Sequence, residues 1–302
     1  MNCANVSRSG NNRTSPHLVP TGNIRNTDSG EEDYVTATMP LFHVERGEGT
    51  PLIMVHGYTV DHRLLLPLEA VFDGRPGWRR IYVDLPGHGR SPRLNGRVTA
   101  GAVAGALLDF IDATTHGEPF AVLGQSFGGQ MVRHVLAERR DRVQGMALLA
   151  PLVLPHGERS LPEHQALERD EELLASLPPE DRADFLGVGV WQNRGGWEAF
   201  REHVLPGLRA CHREDAAELL KNYLLPIRPE ERIATDDRPH LLLTGRQDGQ
   251  VGWRDQMDLL LPHYPRMTSV TLGGAGHNLH LDRPAQAHAL LGAWLDELAD
   301  HR

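Results

Sequence analysis

The chain has 302 residues, 40% of them hydrophobic and 24% charged, which suits one large globular domain or two modest ones and excludes whole-chain disorder. No stretch approaches the roughly 18 consecutive apolar residues of a membrane-spanning helix, so no membrane partner is expected. The net charge of −9, from 31 Lys and Arg against 40 Asp and Glu, repels a phosphate backbone, and no basic stripe offsets it, so nucleic acid is not expected as a partner either.

Residues 1–38 read as a disordered N-terminal extension. Asn2, Asn5, Asn11, Asn12, Asn23 and Asn26 are interleaved with Ser, Thr and Gly, without periodicity and without the apolar run of a signal peptide. Met39 opens a run that reads as structure and offers an alternative start. Two cysteines, Cys3 and Cys211, exclude a disulfide framework and point to a reducing, cytoplasmic setting.

From residue 39 onward, strands and helices alternate. Leu41 to Glu45 is predicted as a strand, as is the buried run Pro51 to Val55, which ends at His56-Gly57. A helix is predicted over Leu64 to Phe72 and a strand over Arg80 to Asp84, stopped by Leu85-Pro86-Gly87-His88-Gly89. Ala100 to Thr115 has helical spacing. Phe120 to Leu123 is another buried strand, Gln130 to Arg140 a helix, and Val143 to Leu149 a strand. This rhythm predicts an α/β fold with a parallel sheet covered on both faces.

From Pro155 to Asp237 no strong strand candidate appears. Helices are predicted over Glu163 to Leu177, Pro179 to Leu186, Gly196 to Val204 and Arg213 to Leu224. Strand rhythm resumes at His240 to Thr244, followed by a helix over Trp253 to Leu261, a strand over Thr268 to Leu272 and a last helix over Pro284 to Ala299. The expected organisation is therefore a core of residues 39–154 and 238–302, with residues 155–237 inserted as a helical lid.

Gly124-Gln125-Ser126-Phe127-Gly128 lies between a strand and a helix, the context in which G-x-S-x-G exposes a serine nucleophile on a cramped turn. A serine hydroxyl needs a base, and the base needs an orienting acid. Both are expected where the strands end, because reacting groups collect at the carboxyl edge of such a sheet. Asp248 follows the strand ending at Thr244, and His277 sits in the glycine-rich loop after Leu272. Ser126, Asp248 and His277 are the expected triad, with Asp255 and Asp258 on the following helix as rivals for the acid. The backbone N–H groups of Phe127 and Tyr58 are the expected oxyanion donors. Asp84 is expected to fix its turn, His56 to brace its loop, and Arg63 to form a structural ion pair. The Asp61-His62-Arg63 run lacks metal-ligand spacing, and no metal or organic cofactor is required.

These residues resemble the α/β-hydrolase superfamily, in particular its lid-bearing bacterial serine hydrolases, over about residues 39–300. The resemblance rests on His56-Gly57, Asp84 to Ser91, Gly124 to Gly128, Asp248 and His277. It implies a mostly parallel, eight-stranded core and a helical lid over the site. The expected activity is hydrolysis of a small to medium ester, or a related acyl bond of a small-molecule substrate. Trp191, Trp197, Phe200 and Tyr223, with Leu220 and Leu224, are the candidate lining of the substrate pocket. Fold alone does not choose the chemistry. A haloperoxidase, a carbon–carbon hydrolase or a lyase on the same triad stays open, as does a ligand receptor that retains it.

Overall fold

The structure, a computed structural model, describes residues 40–163 and 165–300. The expected extension over residues 1–38 and the alternative start at Met39 lie outside the described residues.

In chain order the first half contains β1 (His43–Arg46), β2 (Thr50–Val55), β3 (Trp78–Val83), α1 (Ala100–Thr115), β4 (Phe120–Gln125), α2 (Phe127–Glu138) and β5 (Val143–Leu149). There follow β6 (Glu168–Arg169), α3 (Glu171–Ser176), α4 (Pro179–Val188), β7 (Trp191–Gln192), α5 (Arg194–His203), α6 (Leu205–Ala210) and α7 (Arg213–Lys221). The chain then runs through β8 (His240–Gly245), α8 (Arg254–Leu260), β9 (Met267–Leu272), α9 (Leu279–Asp282) and α10 (Pro284–Asp300).

Seven strands form one sheet in the order β1-β3-β2-β4-β5-β8-β9. Only β1 runs antiparallel, pairing His43 with Val83 and Arg46 with Arg80; the other neighbours are parallel. The described residues thus hold seven strands of the sheet where the resemblance implied eight, and β1 is an edge. β4 and β8 are buried at every position, because helices cover both faces. That explains why they read as continuous apolar runs instead of alternating ones.

Three expectations give way to local chemistry. The helix predicted over Leu64 to Phe72 is instead a pair of 3-10 segments, His62–Leu64 and Leu66–Phe72. Pro67 sits in the first turn of the second, lacks an N–H and restrains Leu66 before it. Between β5 and β8 the structure adds a small parallel pair, Glu168 with Trp191 and Arg169 with Gln192, where no strand was expected. Two residues are too few for a period to register. The helix expected over Glu163 to Leu177 shortens to α3, whose N-cap Asp170 accepts from Leu173 N.

Candidate active site

β4 runs into α2 through Ser126, whose φ of 54° and ψ of −115° lie outside the ordinary regions. A non-glycine residue held there is strained, and the surroundings must hold it. They do so by close backbone passage. A Cβ on Gly124 would lie 2.4 Å from Gly128 O, and one on Gly128 would lie 2.2 Å from Val55 O and 2.5 Å from His56 O. Only hydrogen fits at either position. Backbone bonds complete the turn: Ser126 N donates to Leu149 O (3.0 Å), and Ser126 O accepts from Gly129 N and Leu152 N (2.9 Å each). Gly128→Ala is expected to lower stability by about 3 kcal/mol or more, the upper range for one substitution. Urea unfolding reads this directly, and an unchanged midpoint would contradict the packing account.

The loop after β2 lies against this turn. A Cβ on Gly57 would come within 3.2 Å of Ser126 Cβ. His56 braces the loop: its Nδ1 meets Gly57 O at 2.7 Å and its Nε2 accepts from Leu85 N at 3.0 Å. Burial holds this imidazole below its usual pKa despite the raising influence of Asp84. The N–H groups of Tyr58 and Phe127 enter no turn or loop hydrogen bond among the described residues, and Phe127 N belongs to the first turn of α2, where amides lack intrahelical partners.

The loops that carry Asp248 and His277 are tied together. Arg246 N donates to Leu272 O (2.9 Å) and Gln247 N to Ala275 O (2.8 Å), while Gln247 Oε1 accepts from Gly274 N (2.8 Å) and Ala275 N (3.2 Å). This brings Asp248 Oδ2 to 2.9 Å from His277 Nδ1. Asp248 is fully buried, and its other oxygen accepts from Gln250 N (2.8 Å) and Val251 N (3.0 Å). A carboxylate oxygen accepts, so Nδ1 carries the ring proton and Nε2 is left as the basic nitrogen. His277 and Ser126 line one chamber of about 260 Å³.

Asp282 steadies the His277 loop by accepting from Gly276 N at 2.8 Å. Burial first, and then the nearby Asp248 charge, push its carboxyl up from 3.8 to about 6. A raised carboxyl stabilises the fold fully below its unfolded pKa and loses that contribution as pH rises through its folded one. Asp282→Asn keeps an acceptor for Gly276 but carries no charge. It is therefore expected to raise Tm over wild type clearly at a pH of about 7.5 and little at about 4. Equal Tm differences at both pH values in scanning fluorimetry would refute this.

The four expected lining aromatics separate. Phe200 and Tyr223 line the chamber with Ser126. Tyr223 stacks on Phe127 at 5.0 Å and meets Tyr58 edge-on at 5.1 Å. Trp191 and Trp197 are not among the lining residues. The Trp191 indole N–H donates to Gly274 O at 2.8 Å, supporting the His277 loop. Trp197 packs against Phe185 (5.5 Å) and Phe200 (5.9 Å) inside the helical segment. Leu220 and Leu224 line an adjoining chamber of about 720 Å³. Arg159 and Gln250, which line both chambers, escaped the sequence reading, since neither lies in a periodic element or a motif.

Asp61, His62 and Asp84 bring three metal-type ligand atoms within 4.8 Å. Their oxygens are already taken. Asp61 accepts from Arg63 N (3.0 Å) and from the Arg63 guanidinium. Asp84 accepts from His62 N and Nδ1 (2.8 Å each) and from Arg90 N (2.9 Å). The trio is a brace that fixes the turn after β3 beside the loop after β2.

A profile of the alpha/beta hydrolase fold family matches residues 50–224. Among curated proteins, a pimeloyl-(acyl-carrier protein) methyl ester esterase of Shewanella sp. strain MR-7 is 27% identical over 278 residues, covering 87% of this chain and 98% of that protein. A 2-succinyl-6-hydroxy-2,4-cyclohexadiene-1-carboxylate synthase of Klebsiella pneumoniae is 25% identical over 267 residues, covering 82% of this chain and 95% of that protein. Among solved structures, an alpha/beta superfamily hydrolase from Oenococcus oeni PSU-1 matches with a TM-score of 0.76 and 26% identity, over 86% of this chain and 100% of that one.

Proposed function

The chain belongs to the α/β-hydrolase fold family, and from that premise we propose that it hydrolyses a small to medium carboxylic ester through an acyl-enzyme on Ser126. The observation that carries this reading is the 2.9 Å contact between buried Asp248 and His277, beside a serine held on a strained strand-to-helix turn. His277 Nε2 takes the hydroxyl proton as Ser126 Oγ attacks the acyl carbon. The Tyr58 and Phe127 N–H groups hold the tetrahedral oxyanion. Asp248 fixes the imidazole and stabilises its charged form. The leaving alcohol departs with the proton from His277, and water, activated by the same ring, releases the acid. No step calls for a metal or organic cofactor.

We assign residues 155–237 the role of a lid, because Asp184, Phe200, Leu208 and Tyr223 from this stretch line the chamber with Ser126. A cytoplasmic setting fits a chain with two cysteines. No helix of the described residues is long and apolar enough to cross a membrane. The named activity of the Shewanella relative supports an ester substrate. The Klebsiella relative is named a synthase and not a hydrolase, which keeps a second reading, a lyase on the same triad. Initial rates on p-nitrophenyl esters from acetate to decanoate, with wild type and Ser126→Ala, test the choice. Turnover lost in the variant supports the esterase, and its chain-length optimum sizes the chamber. A wild type inert across the series would contradict it and favour the lyase.

A further inference from the structure

We propose that Arg159 forms an anion subsite, so that the ester this site prefers carries a carboxylate or phosphate on the arm reaching from Ser126 into the outer chamber. The inference rests on the serine-esterase reading and extends it to substrate class.

The inner chamber, about 260 Å³, and the outer, about 720 Å³, share Tyr58, Arg159, Tyr223 and Gln250 in their linings. Arg159 therefore stands where a substrate passes from one to the other. Apart from His156, the charged side chains of the outer lining are Arg159 and Lys221, and no carboxylate is among them. In a chain with 40 acidic residues and a net charge of −9, that chamber holds the only lysine in the sequence. The inner lining has one carboxylate, on exposed Asp184.

The Arg159 guanidinium is held but not neutralised. Its Nε donates to Leu154 O (2.9 Å) and its Nη1 to Gln250 O (2.7 Å). These bonds fix its plane between the loop after β5 and the Asp248 loop. Among the described residues no carboxylate reaches ion-pair distance of it, whereas buried Arg133 is paired with Glu230 at 2.6 Å and Arg93 with Asp215 at 2.6 Å. A guanidinium has five N–H donors in a fork that matches a carboxylate or phosphate. Two of them here serve carbonyls. Burial lowers the pKa of this group, since no carboxylate is paired with it. A half-buried cation without a counter-charge, already oriented beside the reacting serine, is suited to receive an anion that the substrate brings.

Mono-p-nitrophenyl hexanedioate is compared with p-nitrophenyl hexanoate, which tests an anion on the acyl arm. The butanoyl ester of a phosphorylated alcohol is compared with that of the free alcohol, which tests the other arm. In wild type, at least one anionic ester is expected to exceed its neutral partner in kcat/KM. Arg159→Gln is expected to reduce that ratio by about 10- to 100-fold, the scale of a lost charge-assisted hydrogen bond. Arg159→Lys should restore part of it, and Lys221→Glu should lower it more mildly and in a salt-sensitive way. A purely structural clamp would lower both members of a pair alike, and an unchanged ratio overturns the subsite. So does a wild type that shows no preference in either pair. If Arg159→Gln does not fold, an anionic preference left intact by both Arg159→Lys and Lys221→Glu overturns it instead. Failure of the esterase reading looks different: no ester turns over, or turnover survives Ser126→Ala. In that event, calorimetric titration of wild type and Arg159→Lys with hexanedioate and its diamide still reads the subsite, and equal affinity for the two ligands rejects it.

Discussion

Ser126→Ala is expected to lower kcat/KM on p-nitrophenyl esters by about 10⁴- to 10⁶-fold, the scale seen when the triad nucleophile of a serine protease is removed. The substitution deletes the attacking oxygen and little else. The bonds that hold the turn run from backbone to backbone, to Leu149, Gly129 and Leu152, and they do not involve the side chain. The φ of 54° is retained with a Cβ already accommodated, so the thermal midpoint should stay close to wild type. The Tyr223 ring keeps its stacking on Phe127. Whatever rate survives comes from the oxyanion donors and from binding. A loss smaller than about tenfold in a folded variant would place the nucleophile elsewhere.

Asp248→Asn is expected to cost about 10⁴-fold in kcat, as in the analogous change in a serine protease. The reasoning is one of tautomers. The carboxylate takes two backbone N–H groups on one oxygen and His277 Nδ1 on the other. In the asparagine variant the carbonyl keeps the backbone pair and the NH₂ faces His277. Nδ1 must then accept, the ring proton moves to Nε2, and the basic nitrogen that should receive the serine proton is lost. Because the packing is unchanged, KM should move far less than kcat. A fall carried mainly by KM, or a parallel collapse of thermal stability, would mean that Asp248 holds the loop and not the tautomer.

The legible parts of this chain are those in which one physical demand acts on consecutive residues. β2, β4, β5 and β8 are buried on both faces, so their apolar runs mark them in the sequence. α1 is bounded as expected at Ala100 and Thr115, with Thr99 capping Ala102 N at 3.1 Å and Ala and Leu carrying the turns. The turn at Ser126 announces itself because backbone passing within a hydrogen's width leaves glycine as the fitting residue at 124 and 128. Elsewhere the deciding forces are tertiary. α2 begins at Phe127 rather than Gln130, since the packing of β2 against Gly128 outweighs the low helix propensity of two glycines. α6 contains Pro206 and Gly207 and reads as punctuation until Gly207 is seen against Val60 and Asp61. Aromatic residues in the helical segment can be counted in sequence but not aimed. Phe200 faces the chamber, whereas Trp197, three residues earlier, is taken up by Phe185, and Trp191 turns to the carbonyl of Gly274. Arg159 is one arginine among many until the fold sets it between two carbonyls, in the lining of both chambers.

The most direct test of the account is to trap the acyl-type adduct itself. Wild type, Ser126→Ala and His277→Ala would be treated with a fluorophosphonate, followed by intact mass measurement and peptide mapping. Wild type is predicted to gain a single phosphonyl group on Ser126, His277→Ala to gain it far more slowly, and Ser126→Ala to gain none. An adduct mapped to another residue, or ester hydrolysis by wild type that continues with Ser126 fully blocked, would contradict the assignment of Ser126 as the nucleophile.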